Sequence, residues 1–281
     1  MSKGRIITVA NYKGGVGKTT SSYALAVGVS LNNLCCAVID LEPGGGTYRS
    51  LAGAPKDGQP TIADVLYGES NLSDALVPSP ARTPGGGMIY TVAFDGRMAR
   101  LGGVGRSLLH DAIEPIREDV DYIIVDTHPS EDDLRGPIEI ADRILIPTRL
   151  SSNDLHNSAN TVLLAHSLGK LGALSGLLPS DVPRALNAEL RRALDPLHQL
   201  MLTLSLPGQN GEPDEELFFY RSRAWLEAMN GGGKAIDNPE DAEFARKLLR
   251  AVETHTPPKE AWTILLGILL GGNTSGVLDN A

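Results

Sequence analysis

Short apolar runs alternate with longer stretches of helical character through roughly the first 170 residues. Arg5 to Ala10 reads as a buried strand, and after a glycine-rich turn Thr19 to Leu31 has the composition of a helix dense in small residues. Further strands are expected over Leu34 to Asp40, Met88 to Ala93, Tyr122 to Asp126 and Arg143 to Pro147, with helices over Ser107 to Arg117 and Asn153 to Leu168. Strands that are apolar throughout and alternate with helices predict an α/β fold, a doubly wound and mostly parallel sheet covered on both faces. Ligands of such sheets bind beyond the carboxyl ends of the strands.

Past about residue 170 the pattern turns helical. Leu186, Leu190, Leu194 and Leu197 recur at helical spacing, as do Phe244, Leu248 and Val252, which makes the last third mainly helical in expectation. Asn238 and Pro239, followed by three acidic residues in the next four positions, form a helix start, because Asn caps free amides and carboxylates favour the positive helix end. Pro78 to Gly87, Pro207 to Pro213 and Asn230 to Gly233 are linker candidates. The chain reads as one domain, 1–281, with a recognisable core over 5–168 and a divergent helical part over 169–281.

The 281 residues, 42% of them hydrophobic, can bury a sizeable core. A net charge of −9 argues against a surface that coats nucleic acid as a whole, so any DNA contact is expected from a local basic patch. Cys35 and Cys36 are adjacent, which suits neither a spaced metal pair nor a disulfide framework, and a reducing cytoplasm is the expected home. The N-terminal stretch lacks the apolar segment of a signal peptide, and the most apolar run, Ala261 to Leu270, is about half the roughly 20 residues a membrane helix needs.

The chemistry concentrates in Lys13-Gly14-Gly15-Val16-Gly17-Lys18-Thr19-Thr20, which follows the first strand and opens the first helix. Glycines let successive backbone N–H groups converge on an anion, and the helix N-terminus adds partial positive charge. In such a loop Lys18 reaches the β- and γ-phosphates of a nucleotide and Thr19 ligates Mg²⁺. The ordinary phosphate-loop motif begins with glycine where this chain has Tyr12. The form that fits is KGGVGKTT, which resembles the deviant loop of the ParA/MinD superfamily. The resemblance implies a P-loop ATPase that binds ATP with Mg²⁺, and a role for Lys13 that crosses an ATP-bound homodimer to the partner's phosphates.

The likeness continues along the chain. Val38-Ile39-Asp40-Leu41-Glu42-Pro43 resembles the switch I segment, with Asp40 at its first acidic position. The second acidic position, which in the family positions the attacking water, holds Glu42, and three glycines follow Pro43 in place of a glutamine-containing run. Glu42 keeps the carboxylate on a chain one methylene longer, and its other reading is a cap or solvated charge in the turn. Asp121-Tyr122-Ile123-Ile124-Val125-Asp126 resembles the Walker B strand, whose terminal Asp126 holds Mg²⁺ directly or through water, and Thr127-His128-Pro129-Ser130 resembles switch II. His128 is read as structural. Thr61 to Leu66 and Ala141 to Pro147 are similar to later family segments, so the resemblance spans roughly 5–168.

The resemblance implies a slow, partner-stimulated ATPase that positions a plasmid, chromosome or other cargo, with the nucleoid as its surface. Arg184, Arg191, Arg192, Arg221, Arg223, Arg246, Lys247 and Arg250 are candidates for nonspecific DNA contact. Residues 166 to 281 nonetheless carry 11 Lys and Arg against 15 Asp and Glu, the balance of a solvated mixed face. A MinD-like membrane cycle is disfavoured, because no Lys or Arg follows Lys259 to flank the apolar Trp262 to Leu270. Metabolic or electron-transfer ATPases with metal clusters need spaced cysteines that Cys35 and Cys36 do not supply. An ATP-binding scaffold with very slow hydrolysis is the remaining alternative.

Overall fold

Successive residues of strand β1 (Arg5–Val9) serve two separate cores, and the layering of the fold follows from that alternation. Ile7 and Val9 pack into one cluster while Ile6 packs into another on the opposite side, as a period of two requires for a sheet buried on both faces. The computed structural model describes residues 3–81, 86–100, 104–149, 151–182, 219–220, 239–257 and 261–262.

After β1 come α1 (Lys18–Leu31), β2 (Cys36–Asp40), α2 (Gly46–Ala52), α3 (Ile62–Leu66), α4 (Leu72–Ala75), β3 (Leu76–Pro78) and β4 (Ile89–Val92). The second half adds α5 (Arg106–Ile113), β5 (Tyr122–Asp126), α6 (Glu131–Ile140), β6 (Arg143–Thr148), α7 (Ser152–Ser167), β7 (Leu174–Val182), β8 (Phe219–Tyr220) and a helix over Pro239–Thr254, here α8. The strands form one sheet in the order β3-β4-β2-β5-β1-β6-β7-β8. All neighbours are parallel except β3 and β4, where the short edge strand closing on Pro78 runs antiparallel. The register sets Asp126 of β5 level with Val9 of β1 and with Asp40 of β2. Two carboxylates therefore end neighbouring strands at the same carboxyl rim.

One face of the sheet is covered by α1 and α8: Tyr23, Ala24 and Val27 meet Ala245, Leu248, Leu249 and Val252 over Ile7, Val38 and Ile124. On the other face, Ile62, Leu66, Leu72 and Leu109 from α3 to α5 cover Ile39, Ile123 and Val125. Leu134 and Ile138 of α6 and Leu155, Ala159 and Val162 of α7 cover Ile144 and Ile146. Ser175 Oγ donates to the Val252 carbonyl at 2.7 Å and Arg143 to the Glu253 carbonyl at 2.6 Å, which ties α8 to the sheet.

The strands expected from the sequence are all present, each within two residues of its expected ends. The helix expected to Arg117 ends at Ile113 and tightens into a 3₁₀ turn over Glu114–Ile116, where Pro115 has no amide to continue the ladder. The sheet also runs further than expected. Beyond the recognisable core, β7 and β8 extend it by two parallel strands before α8 supplies the helical spacing of Phe244, Leu248 and Val252. The Leu186 to Leu197 repeat, the linkers Pro207 to Pro213 and Asn230 to Gly233, Asn238 and the arginines at 184, 191, 192, 221 and 223 lie outside the described residues. Ala261 and Trp262 are buried; 263–270 lie outside. No helix among the described residues is long and apolar enough to cross a membrane.

Candidate nucleotide site

The loop between β1 and α1 is held from several sides. Asn11 donates through Nδ2 to the Pro147 carbonyl at 2.8 Å and to Ser158 Oγ at 2.9 Å, while its Oδ1 accepts the Lys13 amide at 2.9 Å. Ser180, near the end of β7, donates to the Val16 carbonyl at 2.5 Å. Gly15 and Gly17 take φ of 72° and 99°, the left-handed region that favours glycine. Gly17 is also the N-cap of α1 and offers no side chain to its first amides. Those amides are available to an anion.

Within this frame the two lysines differ. Lys18 is only 5% exposed, and its Nζ donates to the Lys13 carbonyl at 3.0 Å. Burial lowers its pKa from the ordinary lysine value, opposed by the charges of Asp126 and Glu42. Lys13 is half-buried, and its ammonium has no ion-pair partner among the described residues. Gly14 and Gly15 are exposed, Val16 is buried, and Thr20 follows in the first turn of α1.

Thr19, Asp40 and Asp126 converge. Thr19 Oγ1 donates to Asp126 Oδ2 at 3.1 Å, and Thr47 of α2 donates to the same oxygen. Asp126 Oδ1 is buried with no hydrogen-bond partner among the described residues. Asp40 accepts the Glu42 amide on Oδ1 and the Tyr48 amide on Oδ2, both at 3.0 Å, and so shapes the turn after β2. Burial, reinforced by the neighbouring Asp126, pushes the Asp40 carboxyl above its usual range. Burial likewise raises Asp126, against the Thr47 hydrogen bond and Lys18. A bound cation relieves both costs, since it supplies charge to the pair and a partner to Oδ1.

These residues suit Mg²⁺, a hard cation that takes one or two carboxylates and completes its shell with phosphate and water. No cluster of three or more His, Cys, Asp or Glu able to cage a metal occurs among the described residues. Glu42 is half-buried in the turn and close enough for its charge to act on Lys18 and Asp126. His128 pairs through Nδ1 with Asp133 Oδ2 at 2.9 Å, a contact that anchors the turn after β5 to the start of α6. Asn11, Thr47 and Ser180 carry no signal in the sequence, because each acts through partners far along the chain.

The profile of the AAA domain family matches residues 4–164. The chromosome partitioning protein ParA of Myxococcus xanthus is 32% identical over 154 residues, 51% of this chain and 52% of that protein. The maintenance of carboxysome distribution protein A of Gloeothece citriformis is 26% identical over 190 residues, 64% of this chain and 70% of that one. The chain thus spans about half the length of the first relative. A solved ATP complex of McdA from Cyanothece superposes with a TM-score of 0.69 at 19% identity, covering 90% of this chain and 98% of that one, a likeness of fold. On the matched profile, the loop and the paired strand-end carboxylates, this chain belongs to the AAA domain family, within the ParA/MinD superfamily of P-loop ATPases.

Proposed function

We propose that this chain is a ParA-like ATPase that binds and hydrolyses ATP with Mg²⁺, forms a sandwich dimer in the ATP state, and positions a cargo with a partner protein. The observation that carries the reading is the unequal placement of two lysines in one loop: Lys18 folded inward beside Asp126, and Lys13 half-buried without an ion partner among the described residues. In this reading the uncapped amides of α1 and Lys18 hold the β- and γ-phosphates, and Thr19 and Asp126 hold Mg²⁺, with Asp40 beside them. Mg²⁺, when bound, neutralises phosphate charge as it develops during transfer. Glu42 orients the attacking water, and Lys13 serves the opposite subunit. The names of the relatives, a chromosome partitioning protein and a maintenance of carboxysome distribution protein, support a positioning role. The surface proposed for the cycle is the nucleoid.

The test is nucleotide titration by calorimetry, together with phosphate release. Wild-type protein binds ATP and turns it over slowly, and Lys18→Ala loses tight binding, because the only inward-facing ammonium of the loop is gone. Wild-type affinity in Lys18→Ala refutes the loop assignment. Binding without measurable turnover, with or without DNA, favours the scaffold reading.

A further inference from the structure

The glycine run at 44–46, which follows the segment resembling switch I, has a structural consequence. Gly45 takes a φ of 62°, and a Cβ there would lie 1.8 Å from the Phe94 ring, so a side chain at this position would be strained and would displace the ring. At Gly46 an added Cβ would sit 3.2 Å from Thr19 Cγ2 and 3.3 Å from Thr19 Oγ1, tighter than ordinary contact. The absence of side chains lets the start of α2 lie directly on the residue that opens the cation site. Phe94 then braces the same turn: Arg49 stacks on its ring at 4.6 Å and Tyr48 meets it edge-on at 6.1 Å.

The next residue after the run is Thr47, fully buried, and its hydroxyl donates to Asp126 Oδ2. That oxygen therefore carries two hydroxyl donors, Thr19 and Thr47, while Oδ1 carries none among the described residues. A carboxylate bonded on one oxygen and bare on the other has a fixed orientation and one oxygen left for a cation. Groups that hold a metal-binding carboxylate in this way raise affinity by removing the freedom it would otherwise lose on binding.

We propose that Thr47 is a positioning residue of the Mg²⁺–nucleotide site, brought to Asp126 by the glycine run, and that it sets how tightly the cation is held. The proposal rests on the nucleotide-site reading above. Asp126 is held from two elements: Thr19 from the phosphate loop at the start of α1 and Thr47 from the start of α2. A change in either element alters the hold on Oδ2 and so the orientation in which the same carboxylate offers Oδ1 to the metal.

The test uses Mn²⁺ as the probe, titrated into protein saturated with ADP and read from the electron paramagnetic resonance signal of the free ion. Thr47→Val keeps the shape and removes the donor, and weakens Mn²⁺ binding by about 10-fold, the low end of losses for residues that support metal ligands. Thr47→Ser restores the hydroxyl and stays within about 2-fold of wild type, well short of such losses. ADP affinity in EDTA is unchanged in both variants, which also shows that both are folded. Gly46→Ala weakens Mn²⁺ binding in the same direction by pressing on Thr19. Mn²⁺ affinity of Thr47→Val equal to wild type overturns the proposal, as does an equal loss in the Ser and Val variants, which would make Thr47 a packing residue. Wild-type protein that binds ADP neither in EDTA nor with Mg²⁺ overturns the nucleotide-site reading itself.

Discussion

Replacing Gly28 by alanine sets two known effects against each other at the contact between α1 and α8. Alanine is the better helix former, by about 1 kcal/mol in a helix interior. At this site, however, the new methyl would lie 2.3 Å from the Ala245 carbonyl oxygen and 3.0 Å from its carbon. An ordinary contact needs at least about 1 Å more, and the obstacle is backbone with no rotamer to change, so the helices must part. Overpacking of a tight core costs typically about 1–3 kcal/mol, and the packing of Leu249 and Val252 against α1 loosens with it. Because the obstacle is backbone at 2.3 Å, the cost lies in the upper part of that range, about 2–3 kcal/mol, so the clash wins by about 1–2 kcal/mol and Tm falls by about 2–4 °C for a chain of this size. Gly28 lies ten residues beyond Lys18, about 15 Å along the helix, so ATP affinity falls less than stability does. Thermal unfolding followed by circular dichroism, paired with nucleotide titration, measures both. An equal or higher Tm for Gly28→Ala would refute the close packing of α8 on the phosphate-loop helix.

Two further outcomes follow from the carboxylates. Burial holds Asp40 and Asp126 at about 8 and about 6, above the unfolded value near 3.9, so the native state binds more protons between those limits. Without Mg²⁺ and nucleotide, this pair's contribution to stability declines as pH rises from about 4 to about 8; Asp126→Asn flattens that decline, and identical Tm profiles for the two proteins would contradict it. The comparison between proteins removes the opposite contribution of His255, whose pKa burial lowers. Glu42→Ala lowers phosphate release while sparing ATP binding, because the turn uses the Glu42 amide on Asp40 and not its carboxylate. Glu42→Asp, which places there the residue that the resemblance implies, raises turnover, and unchanged rates in both variants would leave Glu42 a structural residue.

What was legible in the sequence was whatever is written in contiguous residues. The phosphate loop, Asp40 closing β2 and Asp126 closing β5 each combine an apolar run with its terminal polar group, so order along the chain already reveals their place on the carboxyl rim. Strand β7 was hidden because its run is broken by Ser175, Gly176 and Pro179, and its pairing with β6 shifts register between Ile144 and Leu145. Thr47 and Ser180 were hidden for a different reason. Thr47 meets a carboxylate 79 positions away and Ser180 a loop carbonyl 164 positions away, contacts that only the closed sheet creates. The meaning of two of the three glycines was also tertiary: in the fold Gly45 makes room for Phe94 and Gly46 for Thr19.

Molar mass in solution, measured by light scattering with ATP, with ADP and without nucleotide, tests the central claim most directly. If Lys13 crosses to the opposing subunit, wild-type protein doubles its mass only with ATP, and Lys13→Ala still binds ATP but remains a monomer. Lys13→Gln fails in the same way, since an amide cannot supply the positive charge that offsets two phosphate tails facing each other across a desolvated interface. A Lys13→Ala protein that dimerises with ATP as wild type does would show that Lys13 is only a surface charge, and would contradict the sandwich-dimer account.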